Sequence, residues 1–104
     1  MRIAFRPEAR AEVIEAKAWY ERQASGLGLE FARAVEASIS SAVRMPEAYP
    51  VIEVECRRAL LRRFPHAVIF RLSSEELLVV AVFHHTARGA GLVMPGQSVT
   101  AAPA

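Results

Sequence analysis

The segment HAVIFRLSSEELLVVAVF, residues 66–83, decides the fold. Two runs of Val, Ile, Leu and Phe flank the polar link Ser73-Ser74-Glu75-Glu76. β-branched and aromatic side chains favour extended backbone, so both runs predict strands. Strands joined by four polar residues pair antiparallel, because a parallel pair needs a long crossover. The second run continues into His84 and His85, with Arg88 and Gly89-Ala90-Gly91 behind them. A core strand that ends in imidazoles and a guanidinium marks one candidate site.

Upstream, VIEVEC (51–56) alternates apolar residues with Glu, and RRALLRRF (57–64) holds an apolar centre between two arginine pairs. Before Pro50 the period changes from 2 to 3.6. Leu27, Phe31, Val35, Ile39, Ala42 and Val43 form one helical stripe, which Pro46 closes. From Pro7 to about Ala24 a first helix is predicted, with Pro7 at its first turn and Glu8 and Glu12 near the positive end of its dipole. Ala9, Val13, Ala16 and Tyr20 share its core face, with Ile14 and Ala18 expected beside them. Ser25-Gly26-Leu27-Gly28 separates the two helices as a tight hairpin link. RIAF (2–5) alternates with Arg2 and Arg6 and predicts an edge strand.

The expected architecture is therefore α+β, in the order β-α-α-β-β-β. A helical hairpin lies on one face of a small, mostly antiparallel sheet, leaving the other face for function. With 104 residues there is room for one core. We expect one domain over residues 1–92 and a weakly ordered tail over 93–104, where VMPGQSVTAAPA is small and polar.

Composition limits the function. No apolar run reaches the roughly 18–20 residues of a membrane span, and MRIAFRPEAR lacks the apolar core of a secretory signal. A single cysteine, Cys56, rules out an internal disulfide and fits a reducing compartment, so a cytoplasmic protein is expected. The 53% hydrophobic content is high for so small a chain and implies a partner, either another protein or a second copy. Residues 1–56 carry seven Lys/Arg against nine Glu, whereas residues 57–104 carry six Arg against two Glu. Five arginines and no acid lie between Arg57 and Arg71. Such segregation suits a surface aimed at phosphate or at an acidic protein.

The order and spacing of four motifs resemble the RelE/ParE family of toxins from bacterial type II toxin–antitoxin systems. Pro7-Glu8-Ala9 opens the first helix and Ala18-Trp19-Tyr20-Glu21 follows. Gly26-Leu27-Gly28 with Phe31 forms the break. Arg57-Arg58 precedes Phe64-Pro65-His66 and Ile69-Phe70-Arg71, and a Val/Ala strand ends in His84. The resemblance spans about residues 3–88. It implies a cognate antitoxin protein wrapped on the toxin, with a homodimer or a heterotetramer with antitoxin as possible assemblies. It also implies one of two targets: DNA gyrase, bound and blocked, or the ribosome with its mRNA, which is cut.

The residues weigh these routes. Metal-free RNA cleavage needs a base, a cation on the phosphate and an acid for the leaving oxygen. Arg58, Arg63, Arg71 and Arg88 are candidate cations, His84 or His85 the acid, and Glu53 or Glu55 the base. The catalytic set for a nuclease is thus Arg58, Arg71, His84 and Glu55. The RelE-like resemblance implies basic and phenolic groups around the sheet and C-terminus, yet Lys17 is the only lysine here and no tyrosine follows Tyr49; an Arg/His/Glu set resembles instead the subset of family nucleases that use a Glu, an Arg and a His. Gyrase binding needs only a surface, for which Arg57, Arg63, His85, Arg88 and Trp19 are further candidates. A third reading, a nontoxic RNA- or protein-binding relative, would use Phe64 and Phe70 for stacking. Two adjacent histidines in a chain without Asp make a poor metal site, and residues 89–91 lack a phosphate-loop signature, so neither metal nor cofactor is expected. The gyrase route is favoured.

Overall fold

The computed structural model describes residues 1–53 and 55–84. His85, Arg88, the domain boundary expected after 92 and the tail over 93–104 lie outside the described residues. The elements are β1 (Arg2–Phe5), α1 (Pro7–Gln23), α2 (Leu27–Arg44), a single 3-10 turn (Pro46–Ala48), β2 (Val51–Glu53), β3 (Cys56–Leu60), β4 (His66–Leu72) and β5 (Glu76–His84). They form one five-stranded sheet in the order β1-β5-β4-β3-β2. β1 runs parallel to β5 and every other pairing is antiparallel. The helical hairpin covers one face. The architecture is the expected α+β one, with residues 51–64 supplying two strands, β2 and β3, rather than one. Glu55, in left-handed backbone at φ 65°, makes the turn between them.

Sequence explains the hairpin. Pro7 occupies the first turn of α1, and the chain is extended again at Ala24. Gly26 starts α2 with φ 89°, a conformation that side chains disfavour. It brings no capping side chain, so α1 supplies one: the two Glu21 carboxylate oxygens accept from Gly26 N and Gly28 N at 3.0 and 2.9 Å. These two bonds hold the Glu21 carboxyl below its ordinary pKa. Gly28 sits where the helices come closest. A Cβ there would lie 2.6 Å from the Lys17 carbonyl oxygen.

The core forms where the stripe of α2 meets the sheet. Phe31, Val35, Ile39 and Ala42 pack with Ala9, Ala16 and Tyr20 of α1 against Ala59, Val68, Phe70, Leu77, Val79 and Val82. Phe31 and Phe70 are wholly buried. Ile14 and Ala18 depart from expectation. Both are exposed, because they lie across the helix from Ala9, Ala16 and Tyr20 and face solvent.

The register of β5 decides which side chains face the helices. Phe70 pairs with Val79, but Ile69 pairs with Ala81, so Val80 is an extra residue. This bulge inverts the alternation. Before it Leu77 and Val79 point at the helices; after it Val82 and His84 do. β1 ends opposite Val79, and past it the Glu12 carboxylate of α1 accepts from Val82 N at 2.7 Å.

Candidate functional site: the uncovered face of the sheet

The face away from the helices carries Cys56, Arg58 and Leu60 of β3, Ala67, Ile69 and Arg71 of β4, and Leu78, Ala81 and Phe83 of β5. Their common side follows from the pairs Cys56–Arg71, Arg58–Ile69, Leu60–Ala67, Ile69–Ala81 and Arg71–Leu78, alternating with core residues such as Ala59, Val68 and Phe70. The face is divided along the strands. Leu60, Ala67, Ile69, Ala81 and Phe83 make an apolar end, in which Leu60 is exposed, Ala81 and Phe83 are half-buried and Ala67 and Ile69 are buried. Arg58 and Arg71 make a cationic end as diagonal neighbours on adjacent strands, positions about 7–8 Å apart. The free, half-buried Cys56 lies between β2 and Arg71. At the far edge Arg2 is taken up by Glu76, 3.4 Å away.

The other sequence candidates scatter. Arg57 points to the helix side, where its guanidinium donates to the Tyr49 carbonyl at 2.7 Å. Arg63, in left-handed backbone at φ 67°, lies in the β3–β4 turn with its guanidinium 3.8 Å from Glu30 of α2. It borders an open groove of about 860 Å³ between α2 and that turn, lined by Ala34, Ala37, Ser38, Tyr49 and Arg62. Trp19 is half-buried, edge to face on Tyr20 with ring centres 5.1 Å apart. Glu55 is exposed in its turn, and Glu53 pairs with Cys56.

His84, the one of the adjacent pair within the described residues, does not join Arg71 on the open side. It faces the helices itself, opposite His66, with ring centres 5.2 Å apart. Arg71 lies five positions along β4 from His66 and on the other face, roughly 17 Å away along the strand. The four residues proposed for cleavage therefore do not converge: Arg58 and Arg71 share the open face, Glu55 lies at its rim, and His84 is on the reverse.

His66 was the residue the sequence concealed. It is 2% exposed, ringed by Tyr20, Phe31 and His84. Burial, and secondarily the neighbouring His84, push its pKa down to about 4, so it is neutral near pH 7. Burial likewise raises Tyr20. The Phe64 and Phe70 rings, candidates for stacking on bases, are both in the core. Among the described residues no three His, Cys or Glu side chains cluster as metal ligands would, and no helix is long and apolar enough to cross a membrane.

Comparison with known proteins agrees with this architecture. Residues 3–88 match the family described as the ParE toxin of type II toxin–antitoxin systems, parDE. The chromosomal ParDE toxin–antitoxin system from P. aeruginosa holds a chain that superposes with a TM-score of 0.72 at 14% identity, covering 83% of this chain and 97% of that one. The intact E. coli RelBE toxin–antitoxin complex gives 0.54 at 15% identity, covering 84% and 98%. No match was found among curated proteins. At such identities the two structures establish the fold.

Proposed function

This chain belongs to the ParE toxin family of type II toxin–antitoxin systems, and we propose that it arrests growth by binding and inhibiting DNA gyrase until a cognate antitoxin neutralises it. The observation that carries this reading is the split of the would-be catalytic set. Proton transfer needs acid and base within hydrogen-bonding reach of one reacting phosphate. His84 is on the opposite face from Arg58 and Arg71, and its neighbour His66 stays neutral near pH 7. What the open face offers instead is an interface. Exposed Leu60 and half-buried Ala81 and Phe83 supply apolar area to bury, and its two guanidiniums supply forked donors for carboxylates.

The buried rings weigh the same way. Single-stranded RNA is held by bases stacked on exposed aromatics; Phe64 and Phe70 are unavailable for that, and the open face offers one half-buried ring among the described residues, Phe83. A protein target matches the composition of the open face better than an RNA target.

The test is expression without antitoxin, with plasmid supercoiling and mRNA integrity followed together. Stalled supercoiling with intact mRNA is the expected result. Ribosome-dependent mRNA cuts would replace the gyrase reading with the nuclease one, and unaffected growth would point to a nontoxic relative.

A further inference from the structure

Two of the arginines that the sequence sets apart are not taken up by the open sheet face. Arg62 and Arg63 lie in the β3–β4 turn, bordering the groove of about 860 Å³ against α2. Arg33 reaches the same space from the helix. All three are exposed. Arg63 is 3.8 Å from Glu30, but Arg33 and Arg62 are in no ion pair among the described residues, the pairs being Arg2–Glu76 and Arg63–Glu30. The other acids near α2 do not offset them. Glu36 lies about 140° round the helix from Ser41, and Glu47, on the 3-10 turn, is outside the lining. At the far end Arg44 adds a further guanidinium, which donates to Ser41 Oγ at 3.4 Å. Uncompensated positive charge thus flanks a concave space from both of its walls, and that attracts an anion.

The shape of the groove says which anion fits. It follows α2 from Glu30 to Ser41, about 16 Å of helix. A single phosphate would fill a fraction of that length, whereas one strand of a duplex carries a phosphate for roughly every 3.4 Å of axis. The floor is small or hydroxylated, with Ala34, Ala37, Ser38 and Ser41 on α2. Hydroxyls join arginines as donors to phosphate oxygens. An acidic helix would need pockets for large apolar anchors, and Leu60 is the one large aliphatic among the described lining residues. A single strand would need rings for its bases. Tyr49 is the one ring here, and it is half-buried and T-shaped against Phe70, with centres 5.9 Å apart. A duplex keeps its bases paired inside and presents its backbone.

We propose that the groove between α2 and the β3–β4 turn binds the phosphodiester backbone of a nucleic-acid duplex without reading its sequence. Arg33 and Arg62 contact phosphates, Ser38 and Ser41 add neutral donors, and Glu30 restrains Arg63. The site meets the open sheet face only at Leu60, and it stands whether or not that face binds gyrase.

Fluorescence anisotropy with the full chain and short duplexes of two unrelated sequences, each as DNA and as RNA, tests this without gyrase or growth. The two sequences should bind alike, and log affinity should fall against log salt with a slope of about −2 to −3 for two or three phosphate contacts. Arg33→Ala and Arg62→Ala should each weaken binding several-fold and flatten the slope by about one, with circular dichroism unchanged because both side chains are exposed. Glu30→Gln frees Arg63 and should tighten binding several-fold. Arg10→Ala and Arg22→Ala, exposed on α1, should change neither affinity nor slope. Whichever duplex binds more tightly identifies the source of the backbone. A chain that binds neither duplex at low salt overturns the proposal. So does binding that suffers as much through Arg10 or Arg22 as through Arg33 or Arg62, which is the diffuse attraction of any basic chain. Tighter binding of poly-L-glutamate would overturn it in favour of an acidic protein, and tighter binding of a single-stranded oligonucleotide would overturn the duplex.

Discussion

The imidazoles of His66 and His84 meet edge to face, 5.2 Å between ring centres, at the one register position where β4 and β5 place histidines opposite each other. This pair fastens the far end of the sheet to the helical hairpin, because His66 also touches Tyr20 and Phe31. A charge here has no water around it, and that determines how the fold responds to acid.

The folded chain refuses a proton at His66 until about pH 4, whereas an unfolded chain accepts one near 6.5. The unfolded state binds more protons between these values, so stability is full above 6.5 and falls as pH drops towards 4. Each pKa unit is worth about 1.4 kcal/mol, which makes the loss about 3 kcal/mol by pH 4. Urea denaturation at pH 7 and 4.5 should show this loss in the parent and a much shallower one in His66→Phe, which keeps the ring. Equal losses in both would assign acid sensitivity to other groups.

Arg57 and Arg58 are adjacent yet should fail differently. Arg58→Ala and Arg71→Ala remove donors from the open face and should cut the proposed gyrase inhibition by ten-fold or more while leaving melting within about 0.5 kcal/mol of the parent. Arg57→Ala breaks the bond to the Tyr49 carbonyl and should cost about 1–2 kcal/mol of stability with inhibition retained at low temperature. Supercoiling assays beside thermal melts separate the two. A toxin that loses inhibition only through Arg57 would move the site to the helix side.

That contrast also shows what a sequence can and cannot disclose here. The hairpin of helices and the antiparallel β4–β5 pair follow from the 3.6 and 2 periods and the polar link at residues 73–76. The side of the sheet taken by each residue does not. LLVVAVF is apolar throughout, so no alternation betrays the extra residue Val80, and that one residue turns His84 inward and Phe83 outward. Arg57 and Arg58 are assigned to faces by the turn at Glu55, whose left-handed backbone no glycine announces. The exposure of Ile14 and Ala18 is hidden for a related reason: in a helix rich in alanine, buried and exposed apolar positions look alike.

The close crossing at Gly28 is a steric prediction. A methyl group there meets the Lys17 carbonyl and the Glu21 carboxylate that caps α2. Gly28→Ala should destabilise the chain by about 1–3 kcal/mol, because one helix must back away from the other. Gly26, with open space around its Cα, should suffer through φ alone, and Gly26→Ala should cost about 1–2 kcal/mol. Gly26→Asn should recover part of that, since Asn tolerates the left-handed region, whereas no side chain should rescue position 28. Chemical denaturation of the three variants checks the ranking.

Glu12 poses the sharpest test of what holds the open edge of β5. Its carboxylate accepts from Val82 N at 2.7 Å, where β1 no longer reaches. Burial raises its pKa, and repulsion from Glu15 and Glu8 adds to the rise, against the lowering effect of the Val82 bond. A raised carboxyl pKa means the folded chain holds the proton more tightly than the unfolded one. Residue 12 therefore favours the fold more as pH falls through that raised value, and its ionised form is a cost at pH 7. Glu12→Gln retains an acceptor for Val82 N and discards the charge, so its melting at pH 7 should equal or exceed that of the parent. Glu12→Ala discards both and should cost about 1–2 kcal/mol. At pH 4.5 the Gln advantage should shrink, since the parent is then partly protonated. Gln and Ala variants that melt together would mean the backbone at Val82 needs no cap from α1.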